Sequence, residues 1–327
     1  MSSHRIKKTL ALLFSLACIT LTACVSNTES GQNHYAYISN QGEHSVSIID
    51  TNVNQVIATI QTGKAPVGVA ISNSLQRAYI SNVESQDITV INTKNKQVID
   101  TIKVQGSPVG ISLSPNSKQL FVADWFENRV LAINTQKTDT IRVLQVGDAP
   151  AGLVVSPDNQ RLYIANRDSN DVAVVDVASF TIKSRIPVGK HPFGLALSRS
   201  GKLLASVNVQ DDTVSVIDTQ TLLQKTIKVG YHPYCAVFDM DEKLLYVTNT
   251  QDDSVSVVNV QTGASISTIN VGSTPEGIAI DHKNQRAYVA NWGSNNVSVI
   301  DTKTNTLLTS IKTGDKSRAF GQFIALD

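Results

Sequence analysis

Residues 233–272 read PYCAVFDMDEKLLYVTNTQDDSVSVVNVQTGASISTINVG. Short segments rich in Val, Ile, Tyr and Phe alternate here with turns of Asp, Asn, Gln and Gly, the pattern of strands joined by tight connections. The first segment follows Pro233, the second ends at Asn249, the third at Asn259 and the fourth at Gly272. Four short strands in about 40 residues is the size of one β-propeller blade.

The same unit recurs on both sides. The second strand ends as Tyr-Ile-Ser-Asn at Asn40 and Asn82, Tyr-Ile-Ala-Asn at Asn166 and Tyr-Val-Ala-Asn at Asn291, with degenerate copies ending at Asp124 and Asn208. The step is 42 residues, once 41. Third-strand ends fall at Asp50, Asn92, Asn134, Asp176, Asp218, Asn259 and Asp301, and closing glycines at Gly63, Gly106, Gly147, Gly189, Gly230, Gly272 and Gly314. Complete units start at Pro66, Pro108, Pro150, Pro192, Pro233 and Pro275. The chain enters mid-unit at Tyr35 and ends with Phe320 to Leu326, which fits a first strand. The expected fold is therefore all-β: a seven-bladed propeller of four-stranded blades, the C-terminal inner strand completing the N-terminal blade. One blade exposes two apolar faces, and stacking around an axis buries them. Ring closure leaves no open blade interface, so a monomer is expected.

Tyr246-Val247-Thr248-Asn249 and its relatives resemble the YVTN repeats of the YncE-like propellers of bacterial and archaeal envelopes. The resemblance covers the whole mature chain. It implies the fold and an exported location. It implies no particular ligand, because one fold hosts many functions.

The N-terminus agrees with export. His4, Arg5, Lys7 and Lys8 precede an apolar run from Thr9 to Thr20, followed by Leu21-Thr22-Ala23-Cys24. That run suits a signal segment and is too short for a mature spanning helix. Small residues before Cys24 resemble a bacterial lipobox, which implies cleavage after residue 23, lipidation of Cys24 and membrane attachment. Cys18 is a poorer acceptor because Ser15 stands where the box takes Leu. Val25, rather than Asp, favours the outer membrane under the enteric sorting rule. The expected organisation is thus a signal over 1–23, a lipidated tether over 24–34 and the propeller over 35–327, facing the periplasm or cell surface.

The whole chain holds 28 basic and 27 acidic residues; residues 1–23 contain three of the basic ones and no acid, leaving 25 against 27, net −2. No basic footprint for duplex nucleic acid is present. Stacking of single strands on aromatics remains a route to nucleic acid, but not as the main role. With Cys24 acylated and residues 1–23 removed, only Cys235 stays a thiol, so packing alone holds the core.

Residues that repeat in every unit are structural; those that break the symmetry on one face are functional candidates. Loops entering the inner strands share a face, here the top, with the turns between second and third strands. The recurring Asn and Asp are expected to serve turns through bonds to nearby backbone and αL geometry. Loops such as Asp168-Ser169-Asn170-Asp171 lack the spacing of a calcium site. Trp125 and Trp292, the only tryptophans, fall in equivalent top loops of different blades. His191 and His232 share one repeat position in successive units, and Cys235 replaces a recurring glycine. Those three are candidates for a zinc or copper site, or for haem ligation by a histidine, although no Cys-x-x-Cys-His attachment exists. A polar rim and a small buried thiol are the simpler account. Arg318 stands in the one top loop without proline, with Glu276 and Arg167 on the same face. The candidate surface for a small-molecule or protein partner is Trp125, Arg167, His191, His232, Tyr234, Glu276, Trp292 and Arg318. The first expectation is a binding or scaffold protein without cofactor. The alternatives are an enzyme like the lactonases that share the seven-bladed form, or a haem or redox propeller.

Overall fold

The structure, a computed structural model, describes residues 34–326. The signal segment, Cys24 and the tether up to residue 33 lie outside the described residues. From His34 onward every regular element is a strand.

Seven sheets form the blades, each with four antiparallel strands, one of them extended by a short parallel fifth strand. Six are continuous in sequence and start with the inner strands Pro66–Ser72, Pro108–Leu113, Pro150–Val155, Pro192–Leu197, Pro233–Phe238 and Pro275–Asp281. The seventh joins the chain ends: Ile324–Leu326 pairs with His34–Asn40, followed by Ser45–Asp50 and Gln55–Gln61. Each of the six prolines stands opposite the Asn or Asp that ends the second strand, and a bulge follows it.

The repeat motif can now be explained residue by residue. Its tyrosine is a bolt between blades. Tyr288 is fully buried and its hydroxyl donates to Thr51 O and Asn54 Oδ1 of the next blade, at 3.2 and 2.8 Å. Tyr246 makes the same bonds to Thr302 and Asn305. The asparagine is a buried staple rather than a turn residue with αL geometry. Asn249 Nδ2 donates to Ser254 Oγ and Ser256 Oγ, and Asn40 repeats this with Ser45 and Ser47. The glycine closing each fourth strand faces that asparagine: a Cβ at Gly147 would lie 2.6 Å from Asn166. The third-strand Asp and Asn serve turns as expected, Asp218 accepting the amides of Gln220 and Thr221, and so do loop residues such as Asn170 and Asp253, at φ 55° and 49°, which accept the amides of His191 and Thr274.

The ring closes, but not by one continuous C-terminal strand. Phe320–Gln322 runs parallel to Gly68–Ala70, on the axial side of the first complete blade, and only Ile324–Leu326 joins the N-terminal strand. The cause is length. Ser317 bridges Asn40 as Pro66 pairs with Asn82, and Ile324 pairs with Ala36 as Ile71 pairs with Ala78. Six residues separate Ser317 from Ile324, where four separate Pro66 from Ile71. The two extra residues loop into the channel. Gly321, at φ 110°, permits the turn, and a Cβ there would stand 2.6 Å from Val69 O.

Candidate functional site

Three positions of the repeat surround the top of the channel. The residue after each proline gives Val67, Val109, Ala151, Phe193, Tyr234 and Glu276, with Arg318 in the last blade. Side-chain hydroxyls fix this level from below: Ser39, Ser81 and Thr248 donate to the carbonyls of Val67, Val109 and Glu276 at 2.9 Å. The residue after the second-strand Asn or Asp gives Gln41, Val83, Trp125, Arg167, Val209, Thr250 and Trp292. The residue before proline includes Ala65, Ala149, His191, His232 and Thr274, all at φ near +50°. Seven equal blades would place equal side chains at each level. Here, at the level after proline, one arc carries the small apolar Val67, Val109 and Ala151 and the other carries Phe193, Tyr234, Glu276 and Arg318.

Those large groups touch one another. Phe193 and Tyr234 stack with ring centroids 4.1 Å apart, and Phe320 lies beneath them, 5.0 Å from Phe193. Trp125 packs on Phe193 at 5.8 Å, and the Arg167 guanidinium lies 5.7 Å from the Trp125 ring centre. Arg318 Nε pairs with the Glu276 carboxylate, and its Nη2 donates to the Tyr234 hydroxyl at 2.9 Å. Gln41 Oε1 accepts from Arg318 at 3.4 Å and from Trp292 Nε1 at 3.2 Å. Lys316 stands 5.4 Å from the Trp292 ring centre. Thus six of the eight expected residues, Trp125, Arg167, Tyr234, Glu276, Trp292 and Arg318, form one connected set.

The electrostatics are set by burial. The Arg318 and Glu276 side chains are only 17% and 11% exposed. Burial pushes the Glu276 carboxyl above its ordinary value, and the Arg318 guanidinium pulls it only partly back. Burial, then the Glu276 charge, raises the Tyr234 phenol far out of reach of ionisation. Desolvation works against the Arg318 charge, but Glu276 and Tyr234 outweigh it and hold the guanidinium firmly protonated. The mouth therefore contains a fixed cation, a carboxyl whose pKa burial raises and a phenol that stays neutral, flanked by two cation–indole pairs.

Of the two histidines, His232 stands apart from this set, whereas His191 meets it only through Asp168. His232 Nδ1 bonds Thr250 Oγ1 at 3.1 Å. His191 Nε2 lies 3.9 Å from Asp168, whose carboxylate accepts from Arg167. Cys235 is buried at the glycine level, and burial, then Glu276, pushes its thiol well up. Among the described residues no three His, Cys, Asp or Glu side chains group as metal ligands. The structure therefore does not gather His191, His232 and Cys235 with a further ligand into one such group.

Phe193, Gln41 and Phe320 belong to the constellation although sequence symmetry did not select them. For Phe193 the signal was present, since it occupies the same repeat position as Tyr234, Glu276 and Arg318. Phe320 carries no such signal, because it belongs to the two-residue excess that no other unit has.

Comparison with known proteins agrees on fold. The family described as "Lactonase, 7-bladed beta-propeller" matches residues 133–232, under a third of the chain; Arg167, His191 and His232 lie in that span, whereas Glu276 and Arg318 do not. No curated protein sequence matches the chain. Among solved structures, a functionally unknown protein of Desulfotomaculum acetoxidans is similar with a TM-score of 0.77 and 15% identity, over 91% of this chain and 99% of that one. The periplasmic gluconolactonase of Pseudomonas aeruginosa is similar with a TM-score of 0.72 and 18% identity, over 88% and 97%. The hydrazine synthase of Kuenenia stuttgartiensis is similar with a TM-score of 0.72 and 23% identity, over 81% and 92%.

Proposed function

We propose that the protein is a lipid-anchored envelope propeller of the YVTN, YncE-like kind whose top channel mouth binds a small molecule or a protein partner. The observation that carries this is the connected set at the mouth. Trp125, Arg167, Tyr234, Glu276, Trp292 and Arg318 depart from internal symmetry and meet on one face. Aromatic and Arg side chains dominate binding energy where they are rigid and partly desolvated. Here stacking and the buried ion pair hold them in place before any ligand arrives.

The test uses the fact that Trp125 and Trp292 are the only tryptophans. All indole emission comes from the mouth. A ligand bound there should shift or quench that emission, and Trp125→Phe and Trp292→Phe should each remove part of the change. A partner that binds tightly with no emission change at all would move the site elsewhere.

A second reading is a lactone hydrolase, supported by the partial family match and by the Glu276 carboxyl beside Arg318. In it Glu276 takes the proton of the attacking water and Arg318 faces the oxyanion that forms on the lactone carbonyl. Glu276→Gln should then lower kcat by about 10²–10⁴-fold. Lactone turnover no faster than the uncatalysed rate, with emission still responding to a ligand, leaves the binding reading alone.

A further inference from the structure

A second space in the channel opens at the opposite end. Below Phe320 the inner strands surround a cavity of about 650 Å³ that reaches the bottom face. That volume lies within the range of about 300–1,000 Å³ typical of small-molecule sites. Phe320, Gly321 and Gln322 form its roof. The roof is tight: Cβ atoms at Gly110 and Gly152 would each come within 3.3 Å of the Phe320 ring. The wall carries an apolar stretch, Ile71, Leu113, Val155, Leu197 and Val237, all only partly covered, beside polar residues that include Ser72, Ser112, Ser114 and Gln322.

Three titratable groups stand at the rim: Arg199, Asp239 and His282. Asp239 Oδ1 accepts the amides of Lys243 and Leu244 at 2.7 and 2.9 Å. Burial, then the Arg199 charge, lowers the His282 pKa, so this ring is neutral at pH 7. Arg199 alone supplies positive charge. Its Nη1 donates to Met240 Sδ at 2.8 Å, a weak acceptor, and the guanidinium has no ion pair among the described residues.

The first described residue, His34, stands beside this rim. The ring of His34, first residue of the N-terminal strand, is 2.7 Å from Asp281, the neighbour of His282 in sequence. Nine residues, ten steps along the chain, separate His34 from Cys24. Fully extended they reach at most about 35 Å. A lipid at Cys24 would hold the bottom face toward the membrane.

We propose that the bottom cavity is a binding site for a single-chain amphiphile, its hydrocarbon tail along the apolar stretch beneath Phe320 and its anionic head at Arg199. That the cavity opens toward a membrane rests on the lipid-anchor reading; that it takes a tail does not. One tail matches one roofed, narrow space, and one unpaired guanidinium matches one anionic head.

The experiment is calorimetry on the full chain carrying Cys24→Ser, which cannot be lipidated at that position. The probes are octanoate, decanoate, dodecanoate and tetradecanoate below their micellar concentrations. Affinity should rise about fourfold per added methylene, from about 0.8 kcal/mol each, until the cavity is full, and then level off. Dodecanol should bind at least about tenfold more weakly than dodecanoate, in line with a charge-assisted contact. Arg199→Ala should erase that gap and leave dodecanol unchanged. Val237→Phe should move the plateau to shorter chains, an effect that misfolding would not produce. Affinity independent of chain length overturns the tail, and equal affinity for the acid and the alcohol overturns the head. Binding to phosphatidylglycerol vesicles without binding of free single chains overturns the single-chain assignment.

Discussion

The two ends of the channel are built from the same seven inner strands and are chemically opposite. At the top, the residue after proline is Phe, Tyr, Glu or Arg on one arc, and these side chains satisfy one another before anything binds. At the bottom the same strands present Ile, Leu and Val around a cavity of about 650 Å³, with one unpaired guanidinium at the rim. The partition between them is Phe320, contributed by the only blade with two residues too many. The lesson is that a repeat fixes backbone positions and leaves each level of the channel free to carry its own chemistry.

The sharpest way to break this contrast is to remove the partition and the closure together. Deleting Phe320 to Asp327 takes away the seventh inner strand, the roof and a parallel ladder to Gly68–Ala70. The loss should rival the whole reserve of about 5–15 kcal/mol that a domain holds, giving aggregation instead of a cooperative melt. A truncated chain that melts within a few degrees of the parent would mean that the segment closes nothing.

Next in size is the buried pair. At first sight Arg318 is a binding residue whose loss the fold would not notice. The structure changes that expectation, because Arg318→Ala would leave the Glu276 carboxyl buried without its partner. The expected cost is about 3–5 kcal/mol, read by chemical denaturation, with much of it recovered in Arg318→Met combined with Glu276→Leu. Equal losses in the single and double variants would show that the pair is not coupled. Arg199→Ala, at the exposed rim, should change stability by no more than about 0.5 kcal/mol.

Acidity gives a finer comparison. Burial raises the Glu276 carboxyl above its ordinary 4.5, so the folded chain holds that proton more tightly than the unfolded chain does. The contribution is full below the ordinary value and declines as pH rises through the raised one. Glu276→Gln should remove that slope, seen as a difference in Tm between the two proteins that changes with pH above about 4.5. A constant difference would place Glu276 in contact with solvent.

The smallest expected effect belongs to the indoles. Trp292→Ala removes one hydrogen bond to Gln41 and a half-buried ring, which should cost about 1 kcal/mol or less in stability while weakening any top-face ligand by more.

How much of this was legible from the chain divides along the same line. The blade count, the strand order and the shared face of Trp125, Arg167, Tyr234, Glu276, Trp292 and Arg318 follow from a 42-residue step and the proline and asparagine positions, which are local. His232 sits on that face too, but its bond to Thr250 depends on ring orientation, which spacing does not encode. The role of Phe320 was hidden because its segment is too degenerate to align with the other first strands. The bottom cavity was hidden for a different reason. Its wall residues look like ordinary strand alternation, and their exposure arises only from how the seven strands and the roof come together.

The separation of the two ends can be measured directly with dodecanoate brominated at its terminal carbon, a heavy-atom quencher carried by the tail. In the Cys24→Ser chain, calorimetry should show saturation while tryptophan emission stays constant, because Phe320 stands between the tail and both indoles. In the same chain with Phe320→Ala the tail end should pass the waist and emission should fall along the binding curve. Quenching that follows the binding curve while Phe320 is intact would contradict the partition and join the two ends into one site.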